Sequence, residues 1–140
     1  MIKTLCIFGT RPEAIKMAPV CVRLQQDPRF EAKTCVTGQH REMLDSLLSF
    51  FEIVPEFDLD VMRPGHSLSS LSAAILTGLG ELFSDYKPDV VLVHGDTTTS
   101  FVSALASFYE DVPVAHVEAC LLYTSPSPRD ATLSRMPSSA

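Results

Sequence analysis

The feature that most constrains this chain is a regular alternation between two hydrophobic periods. Strand-like runs at Ile2–Phe8, Glu31–Thr37, Pro55–Asp60, Val90–Val93 and Pro113–Glu118 are separated by stretches whose apolar residues recur every three or four positions. The first kind of pattern suits strands and the second suits amphipathic helices. Val90-Val91-Leu92-Val93 contains no polar residue, as expected of a strand covered on both faces. Met43, Leu44, Leu47, Leu48 and Phe51 define one helical face, and Leu68, Leu71, Ile75, Leu79 and Leu82 a second that reaches about Tyr86. Phe101, Val102, Leu105, Phe108 and Tyr109 define a third. The helix that starts near Arg11 has Ile15, Ala18, Val22 and Leu24 as its expected apolar face, with Pro19 predicting a kink because it removes one helical hydrogen bond.

Parallel strands require crossover helices, so the economical fold is α/β, a Rossmann-like, doubly wound and mostly parallel sheet. The first strand and the Val90–His94 strand are expected to be neighbours. That adjacency makes a switch point, where open α/β sheets bind ligands beyond the carboxyl ends of their strands. With 140 residues and 46% apolar content, the chain is one domain or part of a larger one. A formal charge of -6 without a basic run argues against a nucleic-acid surface. No apolar run approaches the roughly 20 residues of a membrane span, and the start lacks a secretion signal, which predicts a cytoplasmic protein. Cys6, Cys21, Cys35 and Cys120 have no C-x-x-C spacing and read as reduced, mostly buried thiols, with no metal site expected.

The stretch Phe8-Gly9-Thr10-Arg11-Pro12-Glu13-Ala14-Ile15-Lys16 reads as a strand turning sharply into a helix, with Gly9 easing the turn and Thr10 and Glu13 at capping-box spacing. A helix N-terminus presents unpaired N–H groups, and Arg11 adds a fork of donors that fits two phosphate oxygens. Lys16 lies about 140° around the helix from Arg11, so the two converge only if Arg11 sits in the turn and folds back. Solvated charges on an exposed helix start are the alternative. At the other strand ends stand Gln39, His40, His94, Asp96, His116 and Glu118. Position alone leaves Asp96 as either a helix N-cap or a group that handles sugar hydroxyls or protons, and Glu118 as either solvated or reactive. The histidines fit packing or hydrogen-bonding roles. No G-x-G-x-x-G follows the first strand and no Walker-type loop is present, so neither a dinucleotide site nor nucleoside triphosphatase chemistry is supported.

Four separated motifs, Phe8–Pro19, Thr37–Asp45, Val91–Thr99 and His116–Ala119, resemble in order and spacing the amino-terminal half of the non-hydrolysing UDP-N-acetylglucosamine 2-epimerases. The resemblance covers residues 1–119. It implies the amino-terminal domain of a glycosyltransferase-B-type fold, with the nucleotide sugar held between two Rossmann-like halves. It also implies that Arg11, Lys16, Asp96 and Glu118 line the substrate site, Asp96 and Glu118 being catalytic with acid and base unassigned. Gln39 and His40 match a pair through which some family members bind an activating second UDP-GlcNAc. The expected partners are UDP-GlcNAc and UDP-ManNAc, with no cofactor, and the intact parent is expected to be a homodimer. A glycosyltransferase of the same architecture and a nucleotide-sugar-binding module are the alternatives.

Where the family continues with Gly-Leu-Arg-Thr, this chain has Cys120-Leu121-Leu122-Tyr123, followed by a Ser/Pro-rich run without helix or strand period. Residues 120–140 are therefore read as foreign read-through, and the chain alone is expected to be inactive, since one domain builds one wall of a cleft.

Overall fold

In the computed structural model, which describes residues 1–38 and 41–118, five strands and four helices alternate along the chain. They are β1 (Ile2–Phe8), α1 (Arg11–Gln26), β2 (Phe30–Val36), α2 (Arg41–Phe50), β3 (Phe57–Asp58), α3 (Leu68–Asp85), β4 (Val90–His94), α4 (Thr98–Tyr109) and β5 (Val114–Val117). The sheet order is β3-β2-β1-β4-β5 and every pairing is parallel. β1 is central, with Ile2 opposite Phe30 on one side and Thr4 opposite Val90 on the other. The chain thus winds outward from β1 to β3, crosses back through α3, and winds outward again to β5. The expected neighbourhood of β1 and β4 is present, and with it the switch point.

Side-chain alternation along β1 divides the core into two layers. Leu5 and Ile7 point to the face covered by α3 and α4, where they join Ile75, Leu79, Val91, Val93, Val102 and Ala106. Cys6 and Phe8 point to the face covered by α1 and α2, with Met17, Ala18, Cys21 and Leu44. Each fully buried Leu, Ile or Phe contributes roughly 1.5–3 kcal/mol relative to exposure. Cys6, Cys21 and Cys35 are free and buried, and burial pushes the Cys35 thiol up to about 12, which suits inert core positions. Cys120 lies outside the described residues.

Several elements differ from the periodicity. β3 pairs over two residues only, although Glu56, Leu59 and Val61 extend its ladder by backbone hydrogen bonds to Thr34, Val36 and Thr37. α1 buries Ala14, Met17, Ala18 and Cys21, whereas Ile15 is 39% exposed. Pro19 lies inside that helix, which runs to Gln26 as expected. The largest correction concerns α4, which buries Thr99, Ser100, Val102, Ser103, Ala106 and Ser107 and turns Phe101, Phe108 and Tyr109 outward. Small residues let the helix lie close to the sheet and to α3. The buried hydroxyls of Ser100 and Ser107 offset their desolvation by donating to the carbonyls of Gly95 and Ser103. Among the described residues no helix is long and apolar enough to cross a membrane.

Candidate functional site

Because β1, β4 and β5 are parallel neighbours, the turns after them open at one edge of the sheet. The β1 turn is built around Glu13, whose side chain is almost fully buried. Its Oε1 accepts from the Gly9 N–H at 3.0 Å, the Thr10 N–H at 2.9 Å and the Thr10 hydroxyl at 2.9 Å. Thr10 is the N-cap of α1, as the capping-box spacing predicts. Gly9, however, does not take the left-handed conformation. Its service to the turn is an N–H aimed at Glu13.

Gly95, immediately after β4, does take a positive φ, at +71°. It turns the chain so that Thr97, rather than Asp96, caps α4 by accepting from the Ser100 N–H at 3.1 Å. The N-cap role open to Asp96 is therefore filled by its neighbour. Asp96 is left exposed and, among the described residues, makes no side-chain hydrogen bond or ion pair, and the same holds for Arg11 at the start of α1. A cleft of about 440 Å³ beside Asp96 is lined by Gly95, Ser100, Phe101, Ala104 and His116. His116 donates through Nε2 to the Gly95 carbonyl, and the ring stands 3.4 Å from the Ser100 hydroxyl.

Glu118 follows β5 with φ at +55°, a conformation that costs a non-glycine residue energy and recurs at functional sites. It reaches across the sheet to α1, where Lys16 Nζ donates to its Oε2 at 2.9 Å, and His94 Nε2 lies 3.5 Å from its Oε1. The Lys16 hydrogen bond is the main reason that the Glu118 carboxyl is held below the usual carboxylate range. The His94 ring is 8% exposed, and at 3.5 Å its Nε2 approaches Glu118 without forming a hydrogen bond.

Lys16, Glu118, Arg11 and Asp96 thus lie on the elements that meet at one sheet edge, with Lys16 reaching the β5 end through Glu118 and Arg11 exposed at the start of α1. Gln39 and His40 lie outside the described residues. Two contributors had a sequence signal that pointed elsewhere. Glu13 was legible as half of a capping box but not as a link to β4, and His94 was legible as a strand-end residue but not as a neighbour of Glu118. Among the described residues no three His, Cys, Asp or Glu side chains come together as a metal site. The arrangement offers the Arg11 guanidinium and the Lys16 ammonium to an anion, next to two carboxylates, Asp96 and Glu118, able to exchange protons.

A family model, UDP-N-acetylglucosamine 2-epimerase, matches residues 22–123. The chain is 58% identical over 133 residues to a UDP-N-acetylglucosamine 2-epimerase from Salmonella typhimurium, covering 92% of this chain and 35% of the relative, and 57% identical over the same length to one from Escherichia coli. It superposes with a TM-score of 0.80 on a crystal structure of the UDP-GlcNAc 2-epimerase of Neisseria meningitidis bound to UDP-GlcNAc, at 50% identity over 93% of this chain and 36% of the other. The TM-score is also 0.80 against the Methanocaldococcus jannaschii enzyme in complex with UDP-GlcNAc and UDP, at 28% identity over 92% and 35%. The chain spans about a third of the length of the curated relatives it matches. With a family model over most of its length and a Rossmann-like sheet shared with these structures, the chain belongs to the UDP-N-acetylglucosamine 2-epimerase family.

Proposed function

We propose that the intact parent of this chain interconverts UDP-GlcNAc and UDP-ManNAc, and that Arg11, Lys16, Asp96 and Glu118 line its substrate site. The observation that carries the proposal is the Lys16–Glu118 pair, which ties the helix after β1 to the end of β5 at the edge where Arg11 and Asp96 stand exposed. The proton on carbon 2 of the sugar is not acidic, because no carbonyl is attached to that carbon. Inversion therefore proceeds by elimination. A carboxylate takes the proton from carbon 2, the bond between carbon 1 and the diphosphate oxygen breaks, and UDP leaves with the electron pair of that bond, giving 2-acetamidoglucal. Re-addition of UDP to carbon 1, with protonation of carbon 2 on the opposite face, completes the epimerisation. Arg11 stabilises the departing diphosphate, and Asp96 and Glu118 hold or move protons at the sugar.

A second Rossmann-like half closes the cleft, excludes water and keeps the intermediate beside UDP. In this reading Gln39 and His40 contribute to an activator site, the parent is a cytoplasmic homodimer serving cell-surface polysaccharide synthesis, and residues 120–140 are foreign to the domain formed by residues 1–119. The test is product analysis of the intact parent incubated with UDP-GlcNAc in heavy water. UDP-ManNAc carrying deuterium at carbon 2 is expected. Free ManNAc plus UDP, or UDP-ManNAc without deuterium, would overturn the proposal.

A further inference from the structure

We infer that Glu13 is a positioning residue that locks the β1 turn to the start of α4, so that the turns carrying Arg11 and Asp96 hold one fixed relation across the switch point. The inference rests on the proposed substrate site for its functional consequence and on geometry for the lock itself. Glu13 is 1% exposed, and its two oxygens divide their work between two elements. Oε1 takes the three donors of Gly9 and Thr10, and Oε2 takes the hydroxyl of Thr97, 84 positions along the chain. The polar chain continues beyond Thr97. Its Oγ1 accepts from the Ser100 N–H, the Ser100 hydroxyl donates to the Gly95 carbonyl at 2.9 Å, and the same carbonyl accepts from His116.

One buried carboxylate thus lies at the head of a series of hydrogen bonds that passes beneath the carboxyl ends of β1, β4 and β5. A helix cap needs a single side-chain acceptor for its own turn. The second oxygen of Glu13 serves no need of α1 and is spent on α4. In a buried setting such a link is directional and its loss leaves donors without partners, so the two turns move together or not at all. Arg11 and Asp96 make no side-chain hydrogen bond or ion pair among the described residues, and their placement depends on the backbone beneath them.

The lock is tested by amide hydrogen exchange on this chain, comparing Thr97→Val, which deletes the hydroxyl and keeps the shape, with Thr97→Ser, which keeps it. Exchange of the Gly9 and Thr10 amides, which Thr97 reaches only through Glu13, is expected to accelerate about tenfold in Thr97→Val and to stay near the parent rate in Thr97→Ser. Unchanged exchange at Gly9 and Thr10 in Thr97→Val overturns the lock. The functional consequence is read in the intact parent, where Glu13→Gln and Thr97→Val are each expected to lower kcat more than they raise KM. The double variant is expected to lose no more than Thr97→Val alone, because both act on the Glu13–Thr97 link and Thr97→Val removes the α4 cap as well. A fall in Tm with kcat and KM unchanged, or losses that multiply, overturns the positioning role. The exchange measurement requires no nucleotide sugar, so failure of the lock and failure of the proposed activity are separate results.

Discussion

Two glutamates at the same edge of the sheet show opposite uses of a carboxylate. Glu13 is buried, and backbone and hydroxyl donors occupy both of its oxygens. Glu118 is 30% exposed, sits on left-handed backbone, and is held by one Lys16 ammonium that is itself 54% exposed, with His94 at the limit of contact. A carboxylate saturated by fixed donors is a structural anchor, since protonating it would break the contacts that hold it. A carboxylate held by one exposed partner can release that partner to a phosphate and exchange a proton with a sugar. Partner number and exposure separate the two roles, while charge and position along a strand end do not.

The comparison is broken most severely at the reactive end. In the intact parent, Glu118→Gln and Asp96→Asn are each expected to lower kcat by at least about 100-fold, the low end for losing a positioned acid or base. Near-normal turnover in steady-state assays would return both residues to the solvated surface. Arg11→Ala removes a donor fork and leaves the carboxylates in place, so it should act mainly on binding, weakening UDP affinity by about tenfold in calorimetric titration, the size expected for one charge-assisted hydrogen bond. An unchanged affinity would remove Arg11 from the phosphate site.

A smaller effect tests the hold on Glu118 directly. Lys16 keeps its carboxyl below the ordinary value of 4.5, so the ionised form favours the folded state above that pH and the contribution fades as the pH falls below it. Lys16→Met should move the Glu118 titration, followed by carboxyl carbon NMR, up toward the ordinary value. No movement would mean that the pair does not persist in solution. The smallest effect belongs to α4, where Phe108→Ser should change stability by no more than about 0.5 kcal/mol in urea unfolding. Val102→Ala, on the buried side of the same helix, should cost about 2 kcal/mol. A Phe108→Ser loss as large as the Val102→Ala loss would contradict the outward placement of the aromatics.

Much of the fold was written in local pattern. The alternation of strand-like and helical periods located all five strands and four helices, because burying one face of each kind of element imposes its own spacing. The uninterrupted Val90–Val93 run announced an interior strand, and Thr10 with Glu13 announced a helix start, since both signals act within a few residues. The four motifs also singled out Arg11, Lys16, Asp96 and Glu118 as the residues proposed for the site. The face of α4 was not legible in the same way. Hydrophobicity favours Phe101 and Phe108 as the inward residues, yet the close packing of α4 leaves room only for Ser, Thr, Ala and Val, and that spacing is set by α3 and the sheet. The cap of α4 was left open for a related reason. Asp96 and Thr97 are both able caps, and the positive φ of Gly95 selected between them.

The sequence by itself determined which elements form, in what order, and which charged residues stand at strand ends, because those properties follow from neighbours along the chain. Only the tertiary structure decided which of these residues meet. Glu13 finds Thr97 and Lys16 finds Glu118 across separations of 84 and 102 positions, and those meetings exist because β4 inserts beside β1 and β5 beside β4. Strand order is chosen by the packing of the whole sheet against two layers of helices, a condition that no local stretch of residues contains.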